Sequence, residues 1–381
     1  VSRWADWVAV ESGRVHAADR WRAPRDLDAA GPVGALAPTG TTVVSFASND
    51  YLGLTRHPAV VAAAHAALDR WGTGAGSARL IVGSRPVHSE LERALADWRR
   101  TEAAVLFPTG FAANLGVLTT FGGPDVLVCS DALNHASIID GCRLARAEVT
   151  VYRHADPEHV DHLLAEVPGR RAVVVSDTVF SMDGDVAPVE ALAEVCARRG
   201  ALLVLDDAHA VLGPDPGLDG VDALRVGTLS KALGALGGFV AGPRAFTDLV
   251  VNRARSYIFT TASTPADTAA ALAAVGVVRS PEGDALRARL RANVDRLRPG
   301  HPSPIVPVVV GDEAATVRVA DALLAHGILV PAIRPPTVAP GSSRLRVALS
   351  AAHTPAQVDA LVAALAAALP TACGTRPGAG P

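Results

Sequence analysis

Between residues 103 and 206, short apolar runs and helix-patterned segments alternate without a break, and this rhythm constrains the fold more than any other feature of the chain. Strand-sized runs fall at 103–107, 125–129, 148–152, 172–176 and 201–206. Helical spacing fills the gaps at 110–120, 136–142, 159–167 and 189–199. Consecutive parallel strands need a crossover, usually a helix. A run such as Ala172-Val173-Val174-Val175 is apolar at every position, as in a strand covered on both faces. The expected fold class is therefore α/β, with a mostly parallel central sheet in a large domain. Two further strands, 226–229 and 238–240, are expected to flank a turn carrying Lys231.

The flanks are read the same way. Residues 57–71 and 89–100 are expected to be helices, the first with Pro58 near its start and Gly72 at its end. Residues 266–298 are helix-rich. Strands at 305–310, 329–331 and 344–349 with helices at 315–325 and 355–369 make a smaller α+β C-terminal domain. The first 45 residues read as a helical arm and then an irregular stretch holding Pro24, Gly31, Pro32 and Gly34, with a short strand at 43–47 leading onward. The expected division is an arm at 1–45, a large domain at 46–290 and a small domain at 291–381, with residues 378–381 frayed.

Composition narrows the function. Hydrophobic residues make up 49% of the 381, yet the apolar runs are strand-sized, and a membrane-spanning helix needs roughly 20 apolar residues. Arg3, Asp6, Glu11, Arg14 and Asp19 interrupt the start with no apolar stretch following, so the expectation is a cytoplasmic protein. Cys129, Cys142, Cys196 and Cys373 are too dispersed for a disulfide framework or a metal cluster. With a net charge of -3 and no basic block, nucleic acid is not an expected partner.

Three segments carry chemistry. Leu203-Val204-Leu205-Asp206-Asp207-Ala208-His209 is an apolar strand ending in two carboxylates and a histidine. Ligands of open α/β sheets bind beyond the carboxyl ends of strands. The pyridine nitrogen of pyridoxal 5'-phosphate (PLP) needs a carboxylate to hold its proton, and Asp206 is the candidate, with His209 in reach of the ring hydroxyl. Taken alone, such a strand end also suits a metal or a helix cap. Gly227-Thr228-Leu229-Ser230-Lys231-Ala232-Leu233-Gly234 encloses a lysine in small residues after a short strand. Desolvation there would lower its pKa and free the amine to attack and to act as base. Thr228 is placed to bond the phosphate. Phe107-Pro108-Thr109-Gly110-Phe111 opens a helix whose free N–H groups form an anion site. Neither this segment nor 72–77 matches a dinucleotide or P-loop glycine pattern.

In order and spacing, these segments resemble those of the α-oxoamine synthases, a class-II aminotransferase-like branch of the fold-type I PLP enzymes. The resemblance extends over nearly the whole chain. It takes in Asn49-Asp50-Tyr51-Leu52-Gly53-Leu54, residues 72–83, Asn134-His135-Ala136-Ser137 and Phe180-Ser181-Met182-Asp183-Gly184-Asp185. The N-terminal arm is only loosely similar, and Ala210 stands where relatives often have glycine. The resemblance implies that Lys231 binds PLP covalently and is the catalytic base. It implies that Asp206 pairs with the pyridine nitrogen, that His209 and Ser181 lie near the ring hydroxyl, and that His135 stacks on the ring. Gly110, Phe111 and Thr228 would hold the phosphate, with Thr260 or Thr261 of the other subunit of a homodimer with shared active sites. Asn49 would line the substrate region, and Arg346 would bind the amino-acid carboxylate, a partner that suits a guanidinium fork. Read alone, His135 also suits a packed core histidine and Arg346 a strand-surface charge. Period-2 alternation puts Arg344 and Arg346 on one face and leaves open which points inward.

The segment Ala332-Ile333-Arg334-Pro335-Pro336-Thr337-Val338, continuing to Arg344-Leu345-Arg346, is similar to that of the branch condensing L-alanine with pimeloyl-CoA, or with pimeloyl-carrier protein, in biotin biosynthesis. Arg22, or else Arg20 or Arg25, would then meet the distal pimeloyl carboxylate. The alternative is the branch that joins glycine to acetyl-CoA.

Overall fold

The computed structural model describes residues 2–18, 20–213 and 215–373; the tail at 378–381, expected to fray, lies outside the described residues. Strands β1 (Leu27–Ala29), β2 (Val33–Leu36) and β3 (Thr41–Ser45) come first. The large sheet is built from β4 (Ala103–Phe107), β5 (Val126–Asp131), β6 (Glu148–Tyr152), β7 (Arg171–Asp177), β8 (Leu202–Asp206), β9 (Ala223–Thr228) and β10 (Gly238–Gly242). Strands β11 (Ile305–Gly311), β12 (Ile328–Leu329), β13 (Ala332–Ile333) and β14 (Ser343–Ala348) follow.

The seven-stranded sheet has the order β4-β10-β9-β8-β7-β5-β6. All its pairings are parallel except those of β10, which runs antiparallel to both β4 and β9. Alternate strand residues enter different cores, as a pleat requires. Val173, Val175 and Val204 pack under the helices Gly110–Phe121 and Ala136–Leu144, whereas Val174, Leu203 and Leu205 face the helices Pro157–Ala165 and Val189–Arg199. This two-sided cover explains the unbroken apolar runs. Two of the crossover helices begin on side-chain caps. Thr109 accepts from the Ala112 N–H at 3.1 Å, and Asp156 accepts from His159, contacts worth about 1 kcal/mol each.

The structure corrects the reading of the N-terminal segment. The stretch taken as irregular holds β1 and β2, which run antiparallel on to β3, the strand expected at 43–47 and found at Thr41–Ser45, and β3 pairs in parallel with β12. Two helices, Arg244–Arg253 and Arg255–Ile258, were not expected. The region 329–331 is split between β12 and β13, which join different sheets. No helix among the described residues is long and apolar enough to cross a membrane.

The end of β14 is sewn to the segment after β3. Ala348 N–H donates to Phe46 O, Ser350 Oγ to Asp50 O, and Ala351 N–H to Tyr51 O, all within 2.8 Å. These bonds carry Asn49 and Tyr51 to Arg346, nearly 300 positions away in sequence.

Candidate active site

Asp131, Asp177 and Asp206 end the neighbouring strands β5, β7 and β8, and Asp177 stands in register with Asp206. The successive carboxylates Asp206 and Asp207 point to opposite sides. Asp207 Oδ2 accepts from Arg225 Nε at 2.6 Å in a buried ion pair. Asp206 instead accepts from Asn114 Nδ2 at 2.6 Å and from the Ala208 N–H at 2.9 Å. Asn114 also donates to Ser137 Oγ, which lies 2.7 Å from His135 Nδ1. His135 caps the helix Ala136–Leu144, and its own N–H donates to Asp177 Oδ2 at 2.8 Å. Partial desolvation lowers the His135 pKa, with Asp206 opposing and Lys231 adding to the effect.

Lys231 is the sole lysine of the sequence. It stands in the turn between β9 and β10, half-buried. Burial lowers its pKa below that of an ordinary lysine, Asp206 and Asp177 resist this, and Arg346 reinforces it. Burial and the adjacent Asp206 push Asp177 well above the usual carboxylate range, against its bond from the His135 N–H. Asp177 and Asn114 escaped the sequence reading. The cue for Asp177 was the one used for Asp206, a carboxylate closing an apolar run. The cue for Asn114 was a lone amide in an apolar helix.

Beside the lysine, the start of β10 lies against the helix beginning at Gly110. A Cβ on Gly238 would sit 2.4 Å from Gly110 N, and one on Gly110 would sit 3.3 Å from Thr228 Cβ. Thr109 takes the Ala112 and Ala113 N–H groups, so those of Gly110 and Phe111 are the first-turn donors left for an anion. Phe111 meets His135 edge-on at 6.5 Å.

Arg344 and Arg346 are both buried, and their neighbours separate them. Arg344 Nη1 pairs with Asp183. Arg346 donates from Nε to Ser181 O and from Nη2 to Asn49 Oδ1 at 3.2 Å. Among the described residues, the buried arginines Arg344 and Arg225 have carboxylate partners, and the buried Arg346 has none. Ser181 thus contributes its carbonyl to Arg346. His209 and Tyr51 complete this side, with His209 Nδ1 2.6 Å from the Tyr51 hydroxyl. Burial pushes His209 well below the ordinary histidine range, and Lys231, Arg346 and His135 add to the shift.

Among the described residues, no hydrogen bond or ion pair joins Arg22, Thr260 or Thr261 to these side chains. Arg22 is exposed between the first helix and β1, and Thr260 and Thr261 lie in the connection after the helix Arg255–Ile258. Arg20 lies 3.6 Å from Glu313.

The turn at 180–185 that presents Ser181 and Asp183 is held from behind. Gly184 has φ +70°, and a Cβ there would fall 1.9 Å from Ile305 O, so only glycine fits. His154 donates to Asp131 Oδ1 at 2.9 Å and to Asp185 Oδ2 at 2.7 Å. Burial lowers the His154 pKa, but the bonds and charges of Asp131 and Asp185 outweigh it, and the net shift is upward. A raised folded-state pKa means that the stabilisation is full below the unfolded pKa and is lost as pH rises through the folded one. His154→Gln is therefore expected to lower stability by about 1 kcal/mol near pH 6, a figure kept small by partial exposure, and by much less near pH 9. Urea midpoints at the two pH values check this; an equal loss at both would show that the charge of His154 contributes nothing.

The residues present fit PLP. The buried Asp206 suits a protonated ring nitrogen, the N–H groups of Gly110 and Phe111 suit a phosphate, and Lys231 offers a desolvated amine near Asp206. Fold and site together define a fold-type I PLP-dependent transferase. Residues 41–365 match the aminotransferase class I and II family. The chain is 49% identical to 8-amino-7-oxononanoate synthase of Anaeromyxobacter dehalogenans, over 93% of each chain. It superposes on serine palmitoyltransferase from S. paucimobilis, solved with PLP and myriocin bound, with a TM-score of 0.90 and 30% identity over 98% of this chain and 100% of that one. The crystal structure of 8-amino-7-oxononanoate synthase from Francisella tularensis matches with a TM-score of 0.71 and 25% identity over 85% of this chain and 97% of that one. The chain belongs to the α-oxoamine synthases of the aminotransferase class I and II family, in the 8-amino-7-oxononanoate synthase branch. Its activity is the PLP-dependent decarboxylative condensation characteristic of that branch.

Proposed function

We propose that the chain condenses L-alanine with a pimeloyl thioester, on coenzyme A or a carrier protein, giving 8-amino-7-oxononanoate, carbon dioxide and the free thiol. The observation that carries this reading is Arg346, a buried guanidinium without a carboxylate partner in a site otherwise rich in carboxylates. It supports an amino acid held by its carboxylate, with Asn49 alongside. The choice of alanine and a pimeloyl donor is supported by relatives of that activity at 43–49% identity.

In this reading Asp206, oriented by Asn114, would hold the ring proton of PLP, and His209 and Ser181 would face its hydroxyl side. Gly110, Phe111 and Thr228 would take the phosphate, joined by Thr260 or Thr261 of a partner subunit. PLP, when bound, supplies the electron sink that lets the amino acid's Cα give up first a proton and later carbon dioxide. Lys231, its amine freed by a lowered pKa, takes the Cα proton and returns one at the end. His135 would pack on the ring, and either it or His209 would polarise the new carbonyl. Arg22 is proposed for the distal pimeloyl carboxylate. We place the enzyme in the cytoplasm as a homodimer.

The test is turnover of the PLP-loaded protein with matched substrate pairs. L-Alanine with pimeloyl-CoA is expected to release CoA and carbon dioxide in equal amounts. Release with glycine and acetyl-CoA, and none with the first pair, would overturn the substrate assignment.

A further inference from the structure

The side chains behind His135 fix where its proton lies. Facing the Asp206 carboxylate, the Asn114 amide presents its NH2 group. One of the two protons goes to Asp206 Oδ2 at 2.6 Å and the other to Ser137 Oγ at 2.9 Å. Ser137 is fully buried, so no solvent takes the proton of its hydroxyl. Among the described residues, the acceptor within reach of that proton is His135 Nδ1, at 2.7 Å. The Ser137 backbone N–H points at the same nitrogen from 3.2 Å and closes the cap on the helix Ala136–Leu144. A backbone N–H is a fixed donor and cannot be turned round. A proton on Nδ1 would meet this N–H head-on and would leave the Ser137 hydroxyl with nothing to donate to.

The imidazole is neutral at and above neutral pH. Burial lowers its pKa, Asp206 opposes this and Lys231 adds to it. The third charged group at hand, Asp177, holds the backbone N–H of His135 and not its ring. A neutral imidazole with a bare Nδ1 carries its proton on Nε2. No hydrogen bond within the described residues occupies Nε2, which leaves that N–H to the site.

We propose that Ser137 is a positioning residue that holds His135 with its proton on Nε2, so that the ring offers the site a neutral N–H donor. The inference rests on the reading of His135 as the residue packed on PLP, and deepens it. Polarising a carbonyl oxygen needs a donor, and the opposite tautomer would turn a lone pair toward that oxygen. Ser137 itself touches neither cofactor nor substrate in this scheme. Its effect passes through the proton on His135, and Asn114 joins it to the carboxylate proposed for the ring nitrogen.

The test is nitrogen NMR of the PLP-loaded enzyme labelled at histidine, with His135→Gln used to assign the signals. At about pH 8, above the ordinary histidine range, the unsubstituted enzyme is expected to show a protonated Nε2 and a bare, hydrogen-bonded Nδ1 at His135. Ser137→Ala keeps the backbone cap and removes the hydroxyl. A donor to a bare Nδ1 favours the neutral ring, so its loss should raise the His135 pKa by about half to one pH unit and move the Nδ1 signal toward that of a free nitrogen. In the same variant kcat is expected to fall by about threefold to tenfold, with KM for the amino acid changed less than about twofold, because Arg346 and Asn49 are untouched. A protonated Nδ1 in the unsubstituted enzyme at that pH overturns this inference alone, and requires no variant to fold. A His135 titration and Nδ1 signal that Ser137→Ala leaves unchanged do the same. Failure of the unsubstituted protein to form a covalent PLP–lysine band overturns the site assignment, and this inference with it.

Discussion

Lys231→Ala is expected to remove the visible band of lysine-bound PLP and to lower kcat/KM by at least about 10⁴-fold, the combined loss of the covalent attachment and of the base. The chain makes this test unusually clean, because Lys231 is its sole lysine. No neighbouring amine can take over, and every other cationic side chain that is always charged is an arginine. Borohydride reduction of the PLP-loaded protein should fix one cofactor per chain on the peptide holding Lys231, and none on the alanine variant. Asp206 and Asp177 attract the ammonium form of Lys231, and desolvation opposes them with a net lowering of the pKa. A variant that kept the band would place the cofactor elsewhere and remove the basis of the site.

Arg346→Gln is expected to leave the lysine-bound PLP band in place and to lower kcat/KM for the amino acid by about 10²–10³-fold, mostly through KM. Removing one side of a buried charge pair has an effect of this size. The glutamine can still reach toward Asn49 but offers no fork and no charge to a carboxylate. Arg344→Gln is the control. That guanidinium already pairs with Asp183 and bonds Ser342 O, so its loss should appear in thermal stability, with KM for the amino acid little changed. Steady-state kinetics on both variants decides. Equal effects on KM would show that the two arginines share the carboxylate, against their different surroundings.

How much of this could be read from the chain varies with the range of the interaction concerned. The central strands and helices were legible because each is specified locally. Arg171–Asp177 and Ala136–Leu144 fall where the spacing puts them, since a strand buried on both faces is apolar throughout and a crossover helix carries a cap and a periodic stripe. Of the N-terminal strands only β3 was foreseen, as a strand at 43–47; β1, β2 and the pairing of the three were not legible. They have three to five residues each, and β3 is completed by β12, some 280 positions later. Segments so short show no period of their own and exist only because a partner satisfies their backbone.

The same division runs through the site. The sequence by itself determined that a lysine stands in a small-residue turn after a strand, that Asp206 closes an apolar run, and that Arg344 and Arg346 share a strand face, because all three follow from spacing over a few residues. Only the tertiary structure decided that Asp206 meets Asn114 while Asp207 turns to Arg225. Only it gave Asp183 to Arg344 and left Arg346 to Ser181 and Asn49. Alternation along a strand says which residues share a face. What that face meets depends on segments 165 and 297 positions away, brought there by the packing of β14 against the chain after β3.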